Sequence, residues 1–256
     1  MKIVGIIPAR MAASRFPGKP LAALRDHPMI EHVYKRAARA TSLAAVYIAT
    51  PDREIFDAAT GFGAPAIMTS ATHARASDRV GEAARGLDAD VFVNIQGDEP
   101  LVEPAALELL CDAIRADPAA ACFNLVNRFS SDKDFLNRNQ IKVVTDLDSR
   151  VLYMSREPIP YRPDTADVPL VRQLGIIAFR RDFLETFTRL RPTPLERAES
   201  IDMLRALEHG FPVRAVSCPY ESFGIDTPED LEIAARRLAA DPLTTALFAE
   251  CSKTRP

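Results

Sequence analysis

Apolar positions along the first half of the chain alternate between two periods. Lys2 to Ile7 is almost wholly apolar, as expected of a strand buried on both faces. Met29, Ile30, Val33, Tyr34, Ala37 and Ala38 then recur at helical spacing. The pattern repeats: "AAVYIAT" (Ala44–Thr50) predicts a strand, "DREIFDAATGFG" a helix closed by Gly, and "APAIMT" a strand. "SDRVGEAARGL" predicts a helix capped near Ser77 or Asp78, "DVFVNIQG" (Asp90–Gly97) a fourth strand, and Pro104 to Asp117 the next helix. Such alternation predicts an α/β fold, a mostly parallel sheet with helices on both faces.

The second half reads differently. "IKVVTDLDSRVLYMS" predicts two strands joined by an Asp/Ser turn, hence a hairpin. The Pro-rich stretch "REPIPYRPDTADVP" that follows is too long for a simple connector and suits a functional flap. "VRQLGIIAF" predicts a strand, and Leu195 to Glu208 and Pro228 to Ala239 predict helices. For the last, Thr227 suits the N-cap, Pro228 the first helical position, and Glu229 and Asp230 the positive dipole end. With no internal repeat, the expected organisation is one domain over residues 1–240, with the hairpin and flap at about 140–180. Residues 241–256 carry no motif and form a tail open to disorder.

Composition narrows the class. With 256 residues, 47% hydrophobic and 26% charged, this is an ordinary globular chain. A net charge of -3 argues against nucleic acid as a partner, so basic residues should matter where they cluster. No apolar run approaches membrane-span length, and the expected setting is the cytoplasm. Cys111, Cys122, Cys218 and Cys251 form no CxxC pair, and the four His no cluster; buried free thiols in a reducing compartment are the expectation.

The first basic cluster lies in "IIPARMAASRFPGKPLAAL" (Ile6–Leu24), directly after the first strand. Loops at strand ends of parallel sheets face ligands. Arg10, Arg15, Gly18 and Lys19 there suit a polyanion such as a triphosphate, Gly18 by allowing close backbone approach and the cations by charge. It is not a Walker loop, since Ala13 stands at the first Gly position and Pro20 at the Ser/Thr position. A solvated basic loop is the competing reading. Asp98, at the end of an apolar strand, and Asp226, before a capped helix, are hard oxygen donors suited to magnesium. From spacing alone, a turn residue for Asp98 and a helix-entry residue for Asp226 are the readings to beat.

"IIPARMAASRFPGKPL", "VNIQGDEPLV" (Val93–Val102), "KVV…VLYMSR" and "GIDTPEDLE" (Gly224–Glu232) together resemble the 3-deoxy-manno-octulosonate (Kdo) cytidylyltransferase family, among the nucleotidyltransferases that form CMP-sugars. The resemblance spans roughly Met1 to Leu238. It implies a Rossmann-like sheet of the nucleotide-diphospho-sugar transferase type, with the hairpin as a homodimerisation subdomain. The implied reaction is attack by the anomeric hydroxyl of an ulosonic acid on the α-phosphorus of CTP, with pyrophosphate leaving, for lipopolysaccharide assembly. Lys19, Asp98, Asp226 and Arg10 take catalytic roles in it, Asp98 and Asp226 as ligands of Mg2+. Pro8, Ala9, Arg10, Arg15, Lys19, Arg79 and Gln96 are implied nucleotide contacts. Gln96, Arg156, Gln173, Asp202 and Met203 are implied sugar contacts, with Arg156 gripping the carboxylate. A surface ion pair with Glu157 or Asp164 is the alternative for Arg156.

The resemblance frays in three places. The family's His-x-Ser-Gly-Thr-x-Arg reads "HARASDR" (His73–Arg79), with Arg75 and Ala76 replacing Ser and Gly. Its Arg-His-Leu-Gly reads "RQLG", placing Gln173 where His is expected, and its Glu-Gln-Leu-Arg reads "DMLR", placing Met203 where Gln is expected. Two alternatives therefore accompany a Kdo enzyme: a cytidylyltransferase for a modified ulosonic acid such as 8-amino-Kdo or a capsule sugar, and a non-catalytic nucleotide-binding regulatory protein. Intact Arg10, Lys19, Asp98 and Asp226 speak against the last.

Overall fold

The computed structural model describes residues 1–12, 16–161 and 169–252. In chain order its elements are β1 (Ile3–Pro8), β2 (Ala23–Leu24), β3 (His27–Pro28), α1 (Met29–Ala37), β4 (Ala45–Thr50), α2 (Arg53–Gly61) and β5 (Ala66–Met68). Next come α3 (Ala76–Ala84), β6 (Val91–Ile95), α4 (Pro104–Ala116), β7 (Cys122–Arg128), α5 (Asp132–Leu136), β8 (Lys142–Thr145) and β9 (Val151–Ser155). The chain continues through β10 (Val171–Arg180), α6 (Arg181–Arg189), α7 (Pro194–Glu199), α8 (Met203–Glu208), β11 (Arg214–Ser217), α9 (Pro228–Ala239) and α10 (Pro242–Ser252).

The main sheet runs β11-β7-β10-β6-β1-β4-β5, and the β8–β9 hairpin joins it through β10. β1 pairs in parallel with β4 and β6, β4 with β5, and β7 with β11. Only β10 runs against its neighbours β6 and β7 along this path, so the expected mostly parallel sheet holds. Alternate residues of each central strand face opposite layers. Ile3, Ile7, Val91, Val93 and Ile95 pack with Ile30, Ile55 and Leu107, under α1, α2 and α4. Val4, Ile6 and Phe92 pack with Val80, Phe183 and Leu204, under α3, α6 and α8. Both faces are dry, which is why β1 is apolar at every position but Gly5 and Pro8.

From β1 the chain moves to β4 and β5 on one side, while β6 leads towards β7 on the other. The loops after β1 and β6 therefore diverge from adjacent strand ends, opening a crevice at the sheet's carboxyl edge.

Two sequence expectations change. The helix expected over Leu195 to Glu208 is two short helices, α7 and α8, separated where Ser200 takes left-handed backbone angles (φ 58°). Of the expected tail, Pro242–Ser252 form α10, which docks on α1, and residues 253–256 lie outside the described residues. Arg36, 1% exposed, donates to the carboxylates of Asp241 and Glu103, to Thr244 Oγ1 and to the Val102 carbonyl. The Phe248 ring lies 4.0 Å from that of His27 and 4.6 Å from that of His32, centre to centre. Burying a charged Arg without partners costs several kcal/mol, so its multiple acceptors hold the docked helix in place.

Candidate active site

A cavity of about 310 Å³ occupies the crevice. Four segments build its walls: the loop after β1, the loop after β6, the residues leading into α9, and the approach to α3 with that helix's first turn.

Gly18 takes left-handed angles (φ 73°), and its N–H donates to the Met11 carbonyl at 3.0 Å. That turn closes the loop and delivers Lys19 to the cavity. Lys19 Nζ donates to Asp98 Oδ2 at 2.7 Å and to the Ile225 carbonyl at 2.6 Å. The Ile225 N–H in turn donates to the Asp98 carbonyl at 2.9 Å. Lys19 thus ties the β1 loop, the β6 loop and the entry to α9 together. Asp98 and Asp226, 128 positions apart in the chain (226 less 98), face one cavity.

The local sequence explains each placement. Gly97 ends the β6 strand run against β1, where a Cβ would meet the Pro8 carbonyl oxygen at 2.7 Å. Gly97→Ala is therefore expected to cost about 1–3 kcal/mol of stability and to displace Asp98. Urea unfolding and kcat measured together check this, and both should fall. At the other segment, the Thr227 hydroxyl accepts from the Asp230 N–H, while the Asp230 carboxylate accepts from the N–H groups of Asp226 and Thr227. This capping box fixes the residue before the helix, which is Asp226.

Arg10 is exposed on the wall near Arg79, which is 3% exposed and donates to Thr69 Oγ1 at 2.6 Å and to the Ser70 carbonyl. Burial first, and then the Arg10 charge, lower the Arg79 pKa. A buried guanidinium with a second cation beside it forms a place for an anion. Pro8, Ala9 and Gln96 complete this wall; the Arg15 assignment lies outside the described residues.

The cavity also contains residues that spacing did not single out as contacts: His73, Ala74, Arg75 and Ala76 on the approach to α3, Phe16 in the loop after β1, and Met29 at the start of α1. His73 pairs with the Glu82 carboxylate. The departures in "HARASDR" were the available signal.

Of the residues expected on the sugar side, Gln96 lines the cavity, while Arg156, Gln173, Asp202 and Met203 stand off its wall. Arg156 spends its guanidinium on the carbonyls of Glu199 (2.6 Å), Arg138 (3.2 Å) and Ser200 (3.4 Å). Glu157 pairs with Arg138 instead of Arg156. Gln173 donates to Asn124 Oδ1 at 2.6 Å. Asp202 accepts from the Ser77 hydroxyl at 2.8 Å, and burial raises its pKa. Met203 is fully buried in the core against Cys122. It turns inward because it opens α8, whose apolar face packs on β9 and on Cys122 of β7, so a direct sugar contact is withdrawn for it. Arg205, beneath these, binds Glu196 at 2.6 and 2.9 Å and Asp78 at 2.9 Å. Burial works against the Arg205 charge, but those carboxylates outweigh it and raise its pKa.

A family model described as Cytidylyltransferase matches residues 4–231. The chain belongs to the cytidylyltransferase family. This cytidylyltransferase is 48% identical over 246 residues to a 3-deoxy-manno-octulosonate cytidylyltransferase of Syntrophobacter fumaroxidans, covering 94% of this chain and 98% of the relative. It is 44% identical over 250 residues to the enzyme of that name from Geobacter metallireducens, covering 93% and 98%. Among solved structures, a CMP:2-keto-3-deoxy-manno-octonic acid synthetase complexed with CTP superposes at a TM-score of 0.89, 36% identical, over 94% of this chain and 99% of that one. Among the described residues of this cytidylyltransferase, no helix is long and apolar enough to cross a membrane. Its Cys111, Cys122 and Cys218 are free and buried, and burial pushes the Cys111 thiol up to about 12.

Proposed function

We propose that this cytidylyltransferase joins CTP to Kdo, giving CMP-Kdo and pyrophosphate in the cytoplasm for lipopolysaccharide assembly. The observation that carries this reading is the one cavity lined by Lys19, Asp98 and Asp226 together with Arg10 and Arg79. A triphosphate brings several negative charges that need cations held in advance, and Arg10, Lys19 and Arg79 supply three of them. The near full-length relatives bear the matching name.

In the reaction the anomeric hydroxyl oxygen of Kdo bonds to the α-phosphorus, the bond from that phosphorus to the bridging oxygen breaks to release pyrophosphate, and the hydroxyl proton passes to water. Arg10 and Arg79 hold phosphate oxygens, and Lys19 lies ready to neutralise the leaving pyrophosphate. Holding the two reactants in line supplies much of the rate. Asp98 and Asp226 fit a magnesium ion: among the described residues no third His, Cys, Asp or Glu joins them, and magnesium is bound through one or two carboxylates plus phosphate and water oxygens. When bound, the ion would add charge neutralisation at the triphosphate. Pyrophosphate release from CTP, Kdo and magnesium is the test. Release is expected; CTP binding without release, or release only with another ulosonic acid, would overturn the reading.

A homodimer through the β8–β9 hairpin belongs to the same proposal. Leu147 and Leu152 of that hairpin are 105% and 63% exposed, an apolar surface suited to a second copy, whereas Met154 is core. Light scattering should then give twice 28.2 kDa.

A further inference from the structure

Arg75 is an odd residue to find on the cavity wall. Its side chain is 26% exposed, and Nη1 donates to Ser200 Oγ at 2.7 Å. Nε lies 3.6 Å from Asp202 Oδ1 and 3.9 Å from Glu196 Oε1. Glu196 has little need of it, since Arg205 already grips both of its oxygens. The shortest Arg75 contact is instead with an exposed serine, a bond that adds little to stability.

What Ser200 holds gives that bond its meaning. Ser200 is the left-handed residue between α7 and α8, and its carbonyl, with that of Glu199, receives the Arg156 guanidinium. The Glu199 carboxylate also accepts from the Arg156 N–H at 2.8 Å and the Ser155 hydroxyl at 2.6 Å. The α7–α8 junction is thus gripped from one side by the end of β9 and from the other by a cation standing in the cavity. Asp202, two residues on, is shared between Arg75 and Ser77, both at the start of α3.

We infer that Arg75 is a positioning residue for the acceptor sugar: through Ser200 it sets the α7–α8 junction, and with it Arg156, relative to the nucleotide wall. The inference rests on the activity proposed above. The β9 side holds the turn through several bonds, whereas Arg75 supplies the direct bond to Ser200 from the α3 side, so cutting that bond lets the turn shift. Displacements of about 1 Å at a reacting pair can cost on the order of 100-fold in rate. The nucleotide side, held separately by Lys19, Arg10 and Arg79, should be spared.

Initial rates with CTP, Kdo and magnesium, varied in turn, test this in wild type, Arg75→Ser, Arg75→Lys, Ser200→Ala and the double variant R75S/S200A. R75S is expected to raise the KM for Kdo about tenfold while the KM for CTP stays within about twofold. R75K, which keeps a cation near Ser200, should recover part of the loss, as a purely packing role would not allow. S200A should raise the same constant, and R75S/S200A should be no worse than R75S, because both cut one link. Unchanged Kdo KM in R75S, an equal rise in CTP KM, or independent multiplication of the two effects overturns the inference while leaving the proposed activity standing. Wild type inactive with Kdo overturns both.

Discussion

Replacing Lys19 with Ala is expected to lower kcat by about 100- to 1,000-fold, the cost of removing one preorganised charge from a developing oxyanion. The side chain is 12% exposed and its ammonium has two acceptors, Asp98 Oδ2 and the Ile225 carbonyl. Without it, the charge facing the leaving pyrophosphate is lost and the bridge between three chain segments is cut. These consequences separate by experiment. Loss of the bridge alone would appear as a lower unfolding midpoint and weaker CTP binding; loss of the charge appears in kcat at saturating substrate. Lys19→Arg is expected to rescue poorly, because a planar fork does not fit where a compact ammonium serves two acceptors under 3 Å away. A K19A enzyme with wild-type kcat would show that Lys19 only fastens the loop.

The parts of the molecule readable from sequence are those set by local rules. Lys2–Ile7 is apolar because both its faces are covered, and β1 falls there within a residue of each end. Thr227, Pro228 and Asp230 announce a helix start, and so place Asp226 at its threshold. β7 was not legible, because "CFNLVNR" carries Asn124 in its centre. That side chain is wholly buried, and its amide donates to the carbonyls of Leu125, Leu174 and Ile176, partners supplied partly by the irregular stretch of β10. β10 reads as a strand, but its direction against β6 and β7 is a matter of connection, which local pattern does not carry.

The same division runs through the candidate site. That Arg10, Gln96 and Asp98 would line one crevice was legible because they follow strand ends, where topology alone points them outward. The sugar side was not, because the direction of each side chain depends on distant partners. Arg156 turns to carbonyls some 43 residues on, and Gln173 to an amide 49 residues back. α10 shows the limit most plainly: its docking depends on Arg36, 205 residues before Asp241.

Asp98 and Asp226 should be equally unforgiving, and in a way that identifies a shared ion. Asp98→Ala and Asp226→Ala are each expected to lower kcat by about 100- to 1,000-fold at fixed magnesium. Asn in place of either keeps the shape and one oxygen but removes the charge, so half-saturation should move to higher magnesium in both. The capping of α9 does not account for such losses at Asp226, since Thr227 and Asp230 close that box. Asp98→Asn also frees Lys19 from its carboxylate partner, so its midpoint should shift slightly while its metal requirement shifts as in the other variant. Two ligands of one ion act as a unit, and the double Asn variant should be little worse than the poorer single. If the losses multiplied, or if Asp226→Asn kept both wild-type rate and wild-type magnesium dependence, the two carboxylates would not hold a common cation and the proposed chemistry would lose its centre.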